Sequence, residues 1–350
     1  MKTLIKTALL FLLVVSCIKD PKLPNISYTM GGGVILLDEG NYRSGNGSLS
    51  FYSYDSSKIY NDLFSSANGR PLGDVPNSML LKDKSAYIVV NNSGKIEVID
   101  PSTFVSKATI ENLKSPRNMA ILSDTKAYVT SLSSDSVAII NLTSNTVSGY
   151  INMHKTSESI IVAGSKVFIS NWAGGKEVMV INFANDTVVD SIQVGAEPES
   201  MVYDRNGRLW VLCNGGYARK NNAELYEINA ATNRIEEKYI FPTIDDSPTC
   251  LNIDSFGQTL YFIDNGVMRM DIGSPSLPTG PIIEQGGGQY YYKLAINPLN
   301  GDILVTDALD FAQQGYLYIY SYRGDFVSKQ KAGIIPGSMC FNLTINSQTN

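Results

Sequence analysis

One histidine, His154, is all that 350 residues provide. The shortage excludes the multi-histidine zinc and copper sites, which take most of their ligands from imidazole. Basic runs are missing as well, and 33 acidic side chains outnumber 28 basic ones, so the chain lacks the electrostatic footprint of a nucleic-acid binder. Cysteine is scarce, with four in the chain. Cys213, Cys250 and Cys340 form an odd set without metal-ligand spacing, each inside an apolar stretch, which reads as buried free thiols. No apolar run approaches the roughly 18 residues that a spanning helix needs. Against these absences stand 43% apolar residues, 29 glycines and 20 tyrosines, a composition suited to many short strands and tight turns in one large closed all-β domain.

At the N-terminus Lys2 and Lys6 precede the apolar run from Ala8 to Val15, which stops at Ser16-Cys17. This is the charge-then-core pattern of an export signal. The stretch VVSC resembles a bacterial lipoprotein signal, and the resemblance implies removal of residues 1–16 and lipidation of Cys17. An ordinary signal peptide with an incidental cysteine is the alternative. The position of Cys17 where the apolar core ends favours lipid. Residues 17–30 open with IKDPKLPN, polar and twice interrupted by proline, as a flexible tether would be. Lys19-Asp20 resembles the acidic export tags of Bacteroides-type surface lipoproteins, which implies an outer-membrane location facing the cell exterior. Without Lys2 and Lys6 the mature chain is two charges more negative than the −5 of the whole sequence.

A phrase recurs seven times: VPNSMLL from Val75, SPRNMAI from Ser115, TSESIIV from Thr156, EPESMVY from Glu197, SPTCLNI from Ser247, YYYKLAI from Tyr290 and IPGSMCF from Ile335. The interval of roughly 40 to 50 residues is the length of a four-stranded propeller blade. Runs such as AYIVVNN, VFISNWA and LWVLCNG follow as second strands, then KIEVIDP, EVMVINF and AELYEIN as third strands. Fourth strands such as TVSGYI and VVDSIQV are more polar, as an outer edge requires. The first repeat lacks an inner strand and the last phrase has nothing after it. The spacing therefore predicts an all-β, seven-bladed β-propeller over residues 31–343, closed by Pro336–Phe341 pairing with Val34–Asp38, with a short tail at 344–350.

The P-x-S phrase followed by an aromatic-V-x-N strand resembles the YVTN or YncE-like surface-layer propellers. The opening GVILLDEGNYRSGNGSLSFY, together with the export signal, is similar to the Bacteroides-type surface propellers, the cobalamin-binding BtuG-like lipoproteins among them. That likeness implies a corrinoid ligand, no built-in cofactor, and transfer to an outer-membrane TonB-dependent transporter.

In a four-stranded blade the loop before the inner strand and the loop after the second strand share one face. Long loops there have a task. GNYRSGNG carries Asn41, Tyr42 and Arg43; NGGYARKNNA carries Asn214, Tyr217 and Arg219; ALDFAQQG carries Asp310 and Phe311. Asn91, Trp172 and Asn265 end second strands, and Tyr290 and Tyr291 open the last full repeat. Aromatic faces beside amides suit a large flat ligand such as a corrinoid, with rings on its plane and amides on its rim. Tyrosine is also an ordinary strand residue. Trp172 is the strongest single candidate, whereas Trp210 sits mid-strand and reads as core. His154 falls on the same face, in reach of a ligand cobalt or simply solvated beside Lys155.

No catalytic constellation is visible. Two other uses of the fold remain: a protein-interaction scaffold of the envelope, and a calcium-dependent hydrolase with Asp38, Glu39, Asp264 and Asp307 at strand ends, where aspartate is also plain turn chemistry. Cys17→Ser is expected to move the protein from the membrane to the soluble fraction with its β-sheet circular dichroism unchanged, because the tether serves no core. Retention in the membrane fraction would contradict lipidation at Cys17.

Overall fold

The computed structural model describes residues 32–343; the expected signal, Cys17, the tether and the tail at 344–350 lie outside the described residues. The described chain forms seven sheets, each of four antiparallel strands. Every repeated phrase supplies an innermost strand: Pro76–Lys82, Pro116–Ile121, Ile160–Ala163, Pro198–Tyr203, Thr249–Ile253, Tyr291–Ile296 and Pro336–Asn342. Each inner strand touches the inner strands of both neighbouring blades, so the seven close a ring around a central channel.

Closure is made by the chain's two ends. Gly33–Asp38 pairs with Pro336–Asn342 in the register Val34↔Phe341, Ile35↔Cys340 and Leu36↔Met339, which puts the last strand innermost in the first blade. The expected pairing is what the structure shows, and it leaves no open edge at the junction.

The phrase P-x-S has a physical reason at each letter. Proline stands first in four of the inner strands, where no ladder donor is required of it. The serine two positions later staples one blade to the next. Ser78 Oγ donates to the Arg117 carbonyl at 2.7 Å, Ser338 Oγ to the Asn77 carbonyl at 2.6 Å, and Ser200 Oγ accepts from the Leu251 amide at 2.9 Å. Asn118 does the same toward the Glu158 carbonyl at 3.1 Å. The following apolar residue, such as Met119 or Met201, enters the core.

That core is divided into clusters between neighbouring blades rather than gathered at one centre. Tyr87, Val89 and Val98 of the second blade pack on Met119, Val129 and Ile140 of the third, for example, and Trp210 and Leu225 of the fifth on Phe262 and Met268 of the sixth. The helix Leu63–Asn68 fills the passage between the first two blades with Phe64. Outer strands are exposed, Thr187–Gln193 almost along its length. The sixth blade is thin at its rim, where the fourth strand is only Ile283–Glu284.

Ending the chain at residue 334 is expected to abolish a cooperative thermal transition and to induce binding of a hydrophobic dye, since Val34, Leu36 and their neighbours lose the strand that covers them. A transition close to that of the full chain would contradict the closure described here.

Candidate functional site

The channel mouth is built by a strained turn and a slip in the ladder. Val75, Ser115, Glu197 and Ile335, each immediately before a strand-opening proline, have φ of 58°, 44°, 53° and 53°. Such angles are unfavourable for any L residue and more so for branched valine and isoleucine. Each strained carbonyl accepts an amide from the residue leaving the second strand: Asn91 at 2.8 Å, Leu132 at 3.0 Å, Asn214 at 3.2 Å and Glu39 at 2.9 Å. Just inside this clip the inner-to-second register slips, between Pro76 and Ser78, Pro116 and Met119, Pro198 and Ser200, and Tyr291 and Lys293. A bulge frees the intervening residue from pairing and re-aims it. The freed residues include Asn77, Arg117, Glu199 and Tyr292, the variable letter of the repeat.

Arg117, Glu199 and Tyr292 line one pocket of about 230 Å³ at the mouth, together with Glu158 and Thr249 at the same letter in their blades. Arg117 grips Glu158 with both ends, Nε to Oε2 at 2.7 Å and Nη2 to Oε1 at 2.9 Å. Tyr292 donates its hydroxyl to Glu39, with oxygens at 2.9 and 3.1 Å. Burial raises the Glu39 carboxyl above its ordinary range, opposed by Lys293 and by that hydroxyl. Gly337 makes room for it, because a Cβ there would stand 2.8 Å from Glu39 Oε1. One Glu199 oxygen accepts from the Cys250 amide at 3.0 Å.

Several polar atoms of the pocket have no partner among the described residues. The Trp172 Nε1 donor is buried and unbonded. Lys293 makes no ion pair, and its ammonium stands 5.0 Å from the Tyr292 ring. The Cys250 sulfur and, against burial, Tyr292 and the Glu199 and Glu39 carboxylates raise its proton affinity and keep it charged. Cys250 is itself a buried thiol pushed up to about 11 by burial, so it is no nucleophile at neutral pH.

Beside the pocket three rings meet edge to face. Phe311 lies 4.9 Å from Tyr290 and 5.3 Å from Tyr292 between ring centres. Asn41 donates to the Phe311 carbonyl at 3.3 Å, joining the long loops of the first and last blades, and the Arg43 amide donates to Asp74 at 2.9 Å. The structure thus brings Asn41, Tyr42, Arg43 and Phe311 to one side of the mouth, with Trp172 and Asn214 in the pocket wall.

The other residues singled out in the sequence have different surroundings. Tyr291 belongs to the pocket lining from the core side: its hydroxyl lies 2.8 Å from that of Tyr320, and the ring whose hydroxyl meets Glu39 is that of Tyr292. Asn91 is a strut whose amide donates to Ser115 Oγ and the Pro116 carbonyl at 3.1 and 3.0 Å. Asp310 caps its own turn through the Ala312 and Gln313 amides, which lower its carboxyl. Arg219 donates to the Asp245 carbonyl at 2.9 Å, and Asn265 is exposed beside Asp264. Tyr217 projects 95% exposed. His154 is exposed, with its amide on Asn152. Sequence reasoning missed Arg117, Glu158, Glu199, Tyr292 and Lys293. Their signal was the changing letter inside a constant phrase.

The strand-end acids do not gather. Among the described residues no three acidic, cysteine or histidine side chains are grouped to hold a metal. Burial, reinforced by Asp246, lifts Asp264 to about 6. Asp307 caps Tyr290 and Leu309. Asp38 is buried and raised to about 7 by desolvation, against hydrogen bonds from Ser50 and Gly333. The Ser50 hydroxyl lies 2.5 Å from Asp38 and 2.6 Å from Asn61 Oδ1 yet has one proton, so a protonated Asp38 that donates to Ser50 satisfies all three groups.

A family model described as a domain of unknown function (DUF5074) matches residues 32–335, and the chain belongs to that family. No curated protein matches it. Among solved structures it is similar to a quinonprotein alcohol dehydrogenase-like protein from Bacteroides thetaiotaomicron, with 16% identity, 88% of this chain and 78% of that one covered, and a TM-score of 0.69. A functionally unknown protein from Desulfotomaculum acetoxidans shares 14% identity over 88% of this chain and 98% of its own, at 0.65. Virginiamycin B lyase from Staphylococcus aureus shares 13% over 74% and 84%, at 0.58. At such identities the likeness is one of fold, a fold that carries unrelated functions.

In the unfolded chain Asp38 ionises near pH 4. Folded, it keeps its proton to about 7. Between those values the folded state holds a proton that the unfolded state has lost, so stability falls as pH rises and levels off above 7. Asp38→Asn is expected to flatten that slope and to be the more stable form at alkaline pH, read from urea midpoints on both sides of the window. An unchanged slope would show that Asp38 ionises normally in the fold.

Proposed function

We propose that this DUF5074 propeller is a ligand-capturing lipoprotein of the outer membrane, which binds a corrinoid across its channel mouth and passes it to a TonB-dependent transporter. The observation that carries the reading is the cluster of Tyr290, Phe311 and Tyr292 beside a pocket whose Trp172 indole N–H has no partner. Rings supply a surface for a large apolar plane, and unsatisfied polar groups supply partners for its rim. At about 230 Å³ the pocket is smaller than the roughly 300–1,000 Å³ of sites that enclose drug-sized ligands. The macrocycle would therefore lie over the loops and send only a side group into the channel.

Tyr42, 64% exposed, and Tyr217 stand outside the pocket wall. Exposed aromatics at a rim suit docking on a second protein, the transporter in this reading. The same two side chains favour a second reading, in which the face is an interaction scaffold with no small ligand.

Trp172→Ala is expected to weaken cyanocobalamin binding by about 1–3 kcal/mol, the range for an aromatic anchor, with the melting temperature unchanged. Trp210→Ala is the contrasting control: that ring is fully buried with its Nε1 donating to Asp204 at 3.0 Å, and its loss should cost about 3–5 kcal/mol of stability. Failure of the intact mature protein to bind any corrinoid at micromolar concentration would end the capture reading and leave the scaffold.

A further inference from the structure

The pocket at the channel mouth has its charges largely matched and its hydrogen bonds only partly made. Arg117 and Glu158 neutralise one another through two bonds, and Tyr292 occupies Glu39. Besides the rest of the Arg117 fork and the Thr249 and Tyr290 hydroxyls, what remains among the described residues is three donors and one acceptor. Among the described residues Trp172 Nε1 is buried without a hydrogen-bond partner, and Lys293 Nζ makes no ion pair and stands over the Tyr292 ring. Asn214 spends its Oδ1 on the Gly216 amide at 3.0 Å and keeps its NH₂. Glu199 spends Oε2 on the Cys250 amide and keeps Oε1. All four residues line the same pocket of about 230 Å³, room for a short side arm and no more.

This set selects among the small polar groups of chemistry. A carboxylate meets the three donors but brings a second negative oxygen toward Glu199. An ammonium satisfies Glu199 and leaves the donors, one of them cationic, facing more donors. An apolar group leaves all four unsatisfied in a half-buried site, the costly outcome for polar groups. Unlike these three, a primary carboxamide carries an acceptor and a donor side by side at one small planar end and stays neutral at every physiological pH.

Building on the capture reading above, we infer that the channel pocket is a primary-carboxamide subsite. The amide oxygen is taken by the Lys293, Trp172 and Asn214 donors, and the amide NH₂ by the free Glu199 oxygen. Lys293 and Glu199 fix which way round the amide enters. The subsite reads one amide arm of a ligand whose body rests on the Phe311 ring cluster.

The test compares cyanocobalamin with its single-carboxylate derivatives, in each of which one peripheral amide has been hydrolysed, by titration calorimetry on the full mature protein. At least one positional isomer is expected to bind about tenfold more weakly than the parent, the worth of one good hydrogen bond lost and one repulsion gained. Glu199→Gln should erase that difference, because a neutral amide side chain still accepts from the Cys250 N–H but does not repel a carboxylate. If every isomer binds as tightly as the parent, the subsite is overturned while capture stands. If cyanocobalamin itself does not bind, capture falls, and the subsite is decided with propionamide against propionate, read by Trp172 fluorescence with Trp172→Phe as blank. A saturable response to propionamide at millimolar concentration, absent with propionate and lost in Glu199→Gln, upholds it. No response, or one equal or larger with propionate, overturns it.

Discussion

The mouth of this propeller depends first on the clip between a strained carbonyl and the amide leaving the second strand, made at Val75, Ser115, Glu197 and Ile335. The backbone is forced into the left-handed region to turn out of the loop, and a hydrogen bond to the neighbouring strand holds it there. Once so turned, the inner strand re-enters its ladder one residue out of step, and the displaced residue is delivered to the channel. The same small defect therefore makes part of the rim and brings Arg117 and Glu199 to the binding surface. Rigidity comes from outside the defect: the serine and asparagine bonds between blades fix each inner strand against the next.

This division of labour explains how a repetitive scaffold presents a non-repetitive site. Proline, in five of the seven phrases, serine, in four, and the apolar residue after them, in all seven, answer to packing. The letter between proline and serine answers to nothing in the ladder and is free to be Arg117 in one blade, Glu199 in another and Gly337 in a third. Charge is then balanced across blades, as Arg117 with Glu158 shows, and not within them.

The architecture was legible in the sequence because a period near one blade length leaves few alternatives, and because an N-terminal blade without an inner strand can only be completed by IPGSMCF. The site was legible in part. Loop length identified the side where Asn41, Phe311 and Trp172 meet, since length is visible in a sequence. Which of two adjacent tyrosines faces the channel was not visible, because strand alternation alone places Tyr291 outward or inward with equal ease and the register slip between Tyr291 and Lys293 decides it. Asn91 misled for a related reason: an amide at a strand end reads the same whether it waits for a ligand or, as here, braces Ser115 and Pro116. The unpaired Lys293 was hidden by its place inside an apolar-looking strand.

The pairing of Gly33–Asp38 with Pro336–Asn342 also sets the order of events in biogenesis. Partners separated by nearly the whole chain meet last, and loop closure over such a span is slow. Until Pro336–Asn342 docks, the first blade lacks its innermost member, and the ring has an open edge at Val34 and Leu36. A chain of this design is incapable of premature completion. The ring is whole only once its two most distant strands have met.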